Sequence, residues 1–598
     1  MDIKTKGFTM PNGDNHIFIP PSPTETERGG IKAKTKTTET VEVAVGDDDK
    51  LYVPGTDSTL TDENKAANAK VTGDKISSLD ETKVDKSVIL SIINKRPTVE
   101  TLDDFFALQR TSDIYQTKVY KSSYNPTPTC EKLGANAGLV CEPSTDTVEG
   151  QDDYADKIEF MWWHCNYIYD EYGNKIVTAI EGDENYSETG TVDVGTLGMT
   201  FYYSWDKSND EYQMLSWSTS PDESLGLTPF DYSVMHDGTI RPYYVLSAYP
   251  STLGSDGLLH SQPNGKLERL QSHNNMITNY GKKGKNVTGA RASRNTFQII
   301  FNLLKYGTKD SQSIYKGVTS WNFQYAAAVE RDTADTYFPV TASQAANLEV
   351  GCYVSVGYAG VFSGATTIDR YYSNLHIYAD DVKILRIEDM DDGNKAVYLD
   401  IDTGFTTTTV DLGDGLSSPV YMSSMHMWTG ETNKVIGKHD GSAVSNTSGH
   451  HSYRVQGVEY ALGAYIVASD VVMDFQSDYS KNVYVAPRGV AHSTSITTIR
   501  STYKLVGNIP ADDGGAGGDW YVGDIDIDPE TGAWYPSLEV AGNTQGFCDK
   551  VYAGGATTSG QREYLQGGSL SDGSNAGSAC LACGYGLSSV GWACAAAD

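Results

Sequence analysis

The stretch Gly567–Asp598 reads GGSLSDGSNAGSACLACGYGLSSVGWACAAAD and indicates most clearly what kind of structure this chain forms. Twenty of its 32 residues are Gly, Ala or Ser, and it contains no Lys, Arg or Glu. A flexible tail of that composition would lack large apolar side chains. Here such side chains recur between the small ones, at Leu570, Leu581, Leu587, Val590 and Trp592. Apolar anchors that alternate with small residues predict a rigid scaffold that displays a binding surface.

This stretch ends a long, acidic chain. Its 598 residues exceed what one hydrophobic core usually organises, so we expect about three to five domains. Gly (59) and Tyr (39) are abundant and only 21% of the residues are charged, a profile typical of β-rich, turn-rich architecture. The formal net charge of -32 argues against nucleic-acid binding, because neutralising phosphates requires clustered Lys and Arg.

The sequence also bears on where the protein is made. Residues 1–20 contain no apolar segment of signal-peptide length, and no apolar run long enough to span a membrane occurs in the chain. We therefore expect synthesis in the host cytoplasm without a signal peptide, no membrane insertion, and release by a route such as lysis. Cytoplasmic synthesis makes free thiols the expected state of the eight cysteines.

Changes in composition divide the first half of the chain into three segments. Residues 1–57 are rich in Pro, Gly and Thr, which predicts an extended N-terminal attachment segment. Residues 58–124 turn to Ala, Lys, Glu and Asp and are predicted to be helical and stalk-like. No strict heptad holds there, so a short trimeric stalk and a single surface helix both remain open. Residues 125–235 carry aromatic and β-branched runs around turn sequences, which predicts a β-rich domain.

The second half combines one clear helix with further strands. In residues 236–324, Ser293 or Asn295 is the expected N-cap of a helix that Gly307 ends. One face of that helix is apolar, formed by Phe297, Ile300, Phe301 and Leu304. Residues 325–445 return to strand patterns, with Asp392-Gly393 as a hairpin turn, and are predicted to be a β-rich insertion.

Several blocks around that insertion follow one another in the order found in a known family of binding proteins. The first of them are RPYYVLSAYPS (241–251), SRNTFQIIFNLLKYGTKDSQS (293–313) and YRVQGVEYALGAYIVASD (453–470). The third contains a G-x-E-x-x-x-G pattern at Gly457, Glu459 and Gly463. The later blocks are STYKLVGNIP (501–510), DDGGAGGDWYVGDI (512–525), QGFCDKVYAGG (545–555) and REYLQGGSLSDGSNAG (562–577). The last fits R-x-x-x-x-G-G-S through Arg562, Gly567, Gly568 and Ser569.

In these blocks the chain resembles the variable proteins of diversity-generating retroelements, which have a C-type-lectin fold of the formylglycine-generating-enzyme type and include phage tropism determinants. The resemblance covers about 236–320 and 445–598. It implies an α+β lectin-like domain made of 236–324 and 446–598, with a variable region at 567–598. It further implies that Asn codons are diversified to NNY codons. Between Ser569 and Asp598, only Trp592 lies outside the residues such codons encode.

The resemblance implies two sets of residues in the variable region. The diversified, receptor-binding positions are expected at Ser571, Asp572, Ala582, Gly584, Tyr585, Ser589, Gly591 and Ala593. The scaffold is expected at Arg562, Gly567, Gly568 and Trp592, with Leu570, Gly573, Ala576, Gly577, Leu581 and Leu587 as further framework.

The cysteines of this region do not favour catalysis or zinc. Enzymes of this fold oxidise substrate cysteines through closely placed thiols of their own, and a reactive thiol needs a nearby cation. Arg562 lies 18 residues upstream of Cys580. Cys580 and Cys583 with Cys548 and Cys594 nominally offer four zinc ligands, but the second pair lacks the spacing of a structural site. We expect buried, apolar thiols and no catalytic residue.

One acidic motif raises the question of calcium. Asp524-x-Asp526-x-Asp528 is similar to the start of a calcium loop, but Pro529 and Tyr535 stand where such loops carry Gly and Glu. Alternation of these carboxylates with isoleucines predicts a half-exposed strand instead. No cofactor is therefore expected, although a calcium ion in the lectin-like domain remains open.

Composition predicts a multidomain, mostly β protein, and the resemblance implies a receptor-binding protein of a bacteriophage tail, expected in the virion as a homotrimer. Its N-terminal region would bind other tail proteins, and its C-terminal surface would bind a receptor, protein or glycan, on a bacterial cell. Two alternatives stay open: a retroelement-diversified bacterial adhesin, and a tail-associated polysaccharide depolymerase with its acid pair in 325–445.

Overall fold

A computed structural model describes most of the chain from Val99 onward, and two compact units are distinguished, Met1–Thr98 and Val99–Asp598. The described residues are 97, 99–145, 147–361, 373–435, 448–460, 462–509, 519–553 and 559–589, together with short strands elsewhere. In these residues no helix combines the length and the apolar character needed to cross a membrane.

In the first unit the structure describes six short strands that pair in chain order. They are Phe8–Thr9, His16–Phe18, Gly30–Lys34, Thr40–Val45, Lys50–Tyr52 and Lys83–Asp85. The last strand lies in the segment 58–124 that is predicted to be helical. The remainder of 58–96 lies outside the described residues.

The second unit is mostly β with few helices, which confirms the fold class expected from composition. Its α-helices are Leu102–Phe106, His273–Gly281, Ala292–Tyr306, Ala342–Ala345 and Ile496–Thr502. Single 3₁₀ turns occupy Ile158–Phe160, Glu223–Leu225, Asp231–Ser233, Ser311–Ser313, Ser373–His376, Glu431–Lys434 and Gly573–Asn575.

Two antiparallel sheets begin the second unit. One has the spatial order Lys175–Ile180, Trp162–Tyr169, Asp193–Met199, Tyr243–Ser247. The other has the order Thr228–Pro229, Tyr202–Asp206, Tyr212–Ser218, Tyr115–Tyr120, Glu131–Gly134. Strands from both sides of residues 124/125 and of 235/236 therefore pair with one another, so these sheets run across two of the expected segment borders.

Residues 324–425 form a six-stranded sheet of their own, here called the insertion sheet. Its spatial order is Gln324–Ala326, Val420–Met425, Tyr353–Tyr358, Ala379–Asp389, Lys395–Leu399, Tyr337–Val340. The hairpin predicted around Asp392-Gly393 is confirmed, with Asp389 opposite Lys395. Gly393 takes the left-handed backbone, φ 85°, that this turn requires.

The C-terminal sheet has eight strands and carries the variable region. Its spatial order is Lys504–Ile509, Lys481–Val485, Ile466–Phe475, Gly560–Gln566, Leu581–Ala582, Lys550–Tyr552, Trp520–Ile527, Trp534–Val540. Short ladders complete the unit: Ser251–Leu253 with Leu259–Ser261, Gly360–Val361 with Ile368–Asp369, Val410–Gly413 with Leu416–Ser418, and Gly441–Ser442 with Tyr453–Val455 and Val458–Tyr460.

The helix Ala292–Tyr306 joins these sheets through one core. Every residue from Ala292 to Lys305 is buried, and Phe297 and Phe301 share a core cluster with Trp217 of the second sheet and Leu581 of the C-terminal sheet. Gly307 ends the helix at φ 64°, as predicted. The predicted N-cap is wrong: Arg291 occupies that position without a side-chain cap.

Candidate functional site: the C-terminal display segment

The candidate site is the segment Gly567–Ser589, here called the display segment. It leaves the strand Gly560–Gln566, which pairs with Ile466–Phe475, through two glycines with φ of 103° and 88°. A Cβ on Gly568 would lie 2.5 Å from the Cβ of Ala576. Only glycine combines this backbone with that close approach, which supports the scaffold role expected for Gly567 and Gly568.

A first turn, residues 569–575, follows the two glycines. The Asp572 carboxylate accepts hydrogen bonds from the Ser569 amide at 2.6 Å and from the Tyr465 hydroxyl at 3.1 Å. Leu570 packs against the core of the insertion sheet. Ser571 is exposed. Asp572, an expected receptor contact, is therefore engaged in holding the turn that presents Ser571.

The middle of the display segment, residues 576–583, is buried throughout. The Ala579 amide donates to the Asp549 carboxylate at 2.7 Å, and a Cβ on Gly577 would lie 1.9 Å from the other oxygen of that carboxylate. Burial raises the pKa of Asp549 well above its usual value. Ala582 lies in the strand between Gly560–Gln566 and Lys550–Tyr552 and is 1% exposed. Its side chain is in the core and not at the surface, where a receptor contact has to be.

The cysteines of this middle part are buried thiols. All seven cysteines within the described residues are free thiols. Burial raises the pKa of Cys583 to about 12 and that of Cys580 well above its usual value. A protonated, buried thiol is a poor nucleophile.

A second turn, residues 584–589, is held through its backbone. The Glu563 amide donates to the Tyr585 carbonyl at 2.9 Å, and the Asn274 amide donates to the Leu587 carbonyl at 3.0 Å. Leu587 packs on a small apolar cluster that includes Ile499. These contacts leave the Tyr585 side chain 41% exposed.

The remaining expected positions of the variable region differ in exposure. Gly584 and Ser589 are partly exposed, and Ala576, Gly577 and Leu581 are buried. Gly591, Trp592 and Ala593 lie outside the described residues. Arg562 is half-buried, with its guanidinium 5.6 Å from the ring centre of Phe475.

One buried acid ties the display segment to the helix His273–Gly281. The Glu563 carboxylate accepts a hydrogen bond from the His273 amide at the first turn of that helix, at 2.9 Å. Burial raises the pKa of Glu563 to about 7. Its charge state is therefore coupled to the stability of the strand that carries both turns.

A basic cleft lies beside the second turn and was not foreseen from sequence. It holds about 600 Å³ of space, part of it open to solvent, and Val490 in its wall belongs to the same apolar cluster as Leu587. Its described lining has no carboxylate and four cations: Lys175, Arg241, Arg291 and Arg488. These four residues lie in separate segments of the sequence, so no sequence pattern predicts the cleft.

Two buried carboxylates lie behind the cleft. Asp231 lies 2.9 Å from the guanidinium nitrogens of both Arg291 and Arg488, and Asp470 lies 3.6 Å from Arg291. Burial tends to raise the pKa of Asp231, but the two guanidinium groups outweigh it and hold the pKa below its usual value. Burial lowers the pKa of His236, also in the wall, to about 4. The cleft is therefore suited to an anionic group.

The acidic motif lies in and just after a strand, as predicted, but the expected half-exposed pattern is wrong, because Asp524 and Asp528 are buried. Ile525 and Ile527 are buried in Trp520–Ile527. The three carboxylates have separate protein partners: Asp524 accepts from the Ser122 amide, Asp526 pairs with Lys207 and Asp528 with Lys504. Carboxylates engaged in three different places do not form one calcium loop.

Comparison with known proteins adds no family to this description. No protein-family profile matches the chain, and no curated protein matches it significantly. The resemblance to retroelement variable proteins therefore rests on the quoted blocks, their order and the position of the last one.

Proposed function

We propose that the protein is a receptor-binding protein of a bacteriophage tail, and that the display segment contacts a receptor on the bacterial surface. One observation carries the proposal. In Gly567–Ser589, small exposed side chains stand on a backbone whose amides and carbonyls are held by buried groups such as Asp549 and by the amides of Asn274 and Glu563. Such a surface can change its side chains without changing its fold, which is what a diversified binding site requires.

The burial of each position refines the contact set. Ser571, Gly584, Tyr585 and Ser589 remain as contacts among the described residues, and Gly591 and Ala593 are retained from the sequence. Ala582 is left out because its methyl group lies in the core, and Asp572 is assigned to the turn rather than to the receptor. Tyr585 is the strongest candidate, since an exposed aromatic ring buries more area than the small residues around it.

The lectin-like fold is part of the same proposal. In its favour, residues 292–304 and 453–583 contribute to one core cluster, which also takes in residues between 115 and 246, whereas most of the insertion sheet belongs to another. A separate core is what we expect of 325–445 if it is inserted between the two parts, 236–324 and 446–598, of an α+β domain. We further propose that the basic cleft accepts an anionic group of the receptor, such as a carboxylate, sulfate or phosphate on a surface glycan.

Trimerisation and virion attachment complete the proposal and follow from the resemblance. Small side chains give weak individual contacts, and several copies held together compensate through avidity. Light scattering tests the first point directly: a solution mass of three times 65.0 kDa supports the trimer, and a mass of 65.0 kDa excludes it.

The test of receptor binding uses labelled full-length protein and a panel of bacterial strains related to the bacterium from which the gene comes. Wild-type protein is expected to bind a subset of strains, and Tyr585→Ala to lose at least tenfold in affinity for them. Tyr124→Ala is the matched control, because Tyr124 is 56% exposed and lies outside the display segment. Equal loss in both variants, or none in Tyr585→Ala, would contradict the assignment.

The gene provides a second, independent test. The codons for Ser571, Gly584, Tyr585 and Ser589 are expected to end in C or T. A near-copy of the segment with adenines at those codons, and a reverse-transcriptase gene, are expected nearby. Absence of both would remove the diversification part of the proposal.

A further inference from the structure

A cluster of metal-binding side chains lies far from the display segment, where the insertion sheet meets the chain that returns from it. Glu349 and Cys352 stand in the turn that leads into the strand Tyr353–Tyr358 of the insertion sheet. His450 and His451 come about a hundred residues later, shortly before the strand Tyr453–Val455. The two pairs meet only in the folded protein.

The four side chains are in contact around one carboxylate. One Glu349 oxygen lies 2.6 Å from Nδ1 of His450, and the other lies 2.7 Å from Nε2 of His451. A carboxylate oxygen of Glu349, Sγ of Cys352 and a ring nitrogen of His451 all lie within 4.8 Å of one another. Tetrahedral zinc ligands are about 3.4 Å apart, so small side-chain movements would bring these atoms to bonding distance of one ion.

Burial sets this cluster apart from a chance grouping on the surface. Cys352 is fully buried and the His451 side chain is 1% exposed, whereas Glu349 and His450 are accessible at 31% and 22%. Nδ1 of His451 is buried and has no hydrogen-bond partner within the described residues. A buried ring nitrogen without a partner is uncommon.

We propose that Glu349, Cys352 and His451 bind one divalent transition-metal ion, with zinc as the best fit, and that His450 holds the Glu349 carboxylate in position. A thiolate and an imidazole are donors that zinc prefers, whereas calcium and magnesium take oxygen ligands. The charges also match, because one thiolate and one carboxylate neutralise a divalent cation.

Metal binding at this site would depend on pH through the Cys352 thiol. Without a metal, Cys352 is a buried free thiol. Binding then replaces the S–H bond with a sulfur–metal bond and releases that proton to solvent. No oxidant or reductant is involved.

The position of the cluster indicates a structural role. Cys352 belongs to the core of the insertion sheet, and Tyr453, two residues after His451, belongs to the core shared by the helix and the C-terminal sheet. His450 also packs against Trp321, with ring centres 5.1 Å apart. A metal ion here would fix the insertion to the body of the unit at the point where the chain returns.

The test is a cobalt titration of untagged, chelator-treated full-length protein. One equivalent of Co²⁺ is expected to produce the intense visible bands of a tetrahedral site and a near-ultraviolet sulfur-to-cobalt charge-transfer band, and Zn²⁺ is expected to abolish both. Cys352→Ser should lose the charge-transfer band, and Cys165→Ser, which removes another fully buried thiol, should keep it.

A second variant distinguishes loss of metal binding from misfolding of Cys352→Ser. His450 is partly exposed, so His450→Gln should fold normally by circular dichroism and bind Co²⁺ at least tenfold more weakly. The proposal is overturned if folded wild-type protein shows no charge-transfer band. It is equally overturned if the band persists in Cys352→Ser, which would assign the metal to other cysteines such as Cys548, Cys580 and Cys583.

Discussion

The two turns of the display segment and the stretch between them are both rich in small residues but have opposite environments. Residues 569–575 and 584–589 expose Ser571, Ser574, Tyr585 and Ser588, whereas every residue from 576 to 583 is buried. Gly and Ser dominate the turns, and Ala and Cys supply five of the eight residues between them. The difference comes from partners elsewhere in the chain, above all Asp549 and the strands on either side of Leu581–Ala582. Small side chains are therefore replaceable in the turns and essential between them.

The largest effect is expected from a matched pair of glycine substitutions. Gly577→Ala places a methyl group 1.9 Å from a buried carboxylate oxygen of Asp549, whereas Gly586→Ala meets only the Ser589 hydroxyl at 3.6 Å. We expect Gly577→Ala to lower the free energy of unfolding by about 3–5 kcal/mol and Gly586→Ala by less than about 0.5 kcal/mol. Urea unfolding of both variants checks this, and similar midpoints would break the comparison.

The next largest effect is a pH dependence of the unfolding free energy, which arises from the buried Glu563 carboxyl group. The pKa of Glu563 is raised to about 7, so its contribution to stability is complete below the unfolded pKa and is lost as the pH rises through 7. For wild-type protein relative to Glu563→Gln, we expect a loss of about 3 kcal/mol between pH 4.5 and 7.5. Parallel pH profiles of unfolding for the two proteins would show that Glu563 does not titrate in this range.

A smaller difference in stability is expected between substitutions at Ala582 and Ser571, both of which the resemblance implies are receptor-binding positions. Ala582→Leu adds volume to a site that is 1% exposed and should cost about 1–3 kcal/mol. Ser571→Leu adds a similar side chain to an exposed turn and should cost less than about 0.5 kcal/mol. Thermal unfolding of the two variants measures the difference. Equal destabilisation would mean that the turns are as constrained as the strand.

The smallest expected change in stability belongs to Tyr585→Ala, the variant with the largest expected change in cell binding. Its backbone carbonyl accepts from the Glu563 amide whatever the side chain, so we expect a change in unfolding free energy within about 0.5 kcal/mol. Calorimetry on the protein used for the binding assay checks this. A large loss of stability would turn the binding defect into a folding defect.

Local patterns predicted individual elements well where neighbours in sequence supply the main interactions. The helix that ends at Gly307, the hairpin at Asp392-Gly393 and the strand with Ile525 and Ile527 all follow from periodicity and turn chemistry. The start of the helix was predicted wrongly because it depends on distant residues. The Ser293 hydroxyl donates to Asp231 and the Ala292 amide donates to Asp470, and no local pattern predicts these contacts.

The sequence by itself determined that the chain is acidic and mostly β, with one clear long helix and a C-terminal segment of small residues between apolar anchors. Composition and short-range periodicity carry that information, because they report backbone preference and average burial. Only the tertiary structure decided that Ala582 lies in the core while Ser571 does not, that distant cations meet in one cleft, and that Glu349 and Cys352 meet His450 and His451. Those outcomes depend on contacts between residues far apart in the chain, which no local pattern encodes.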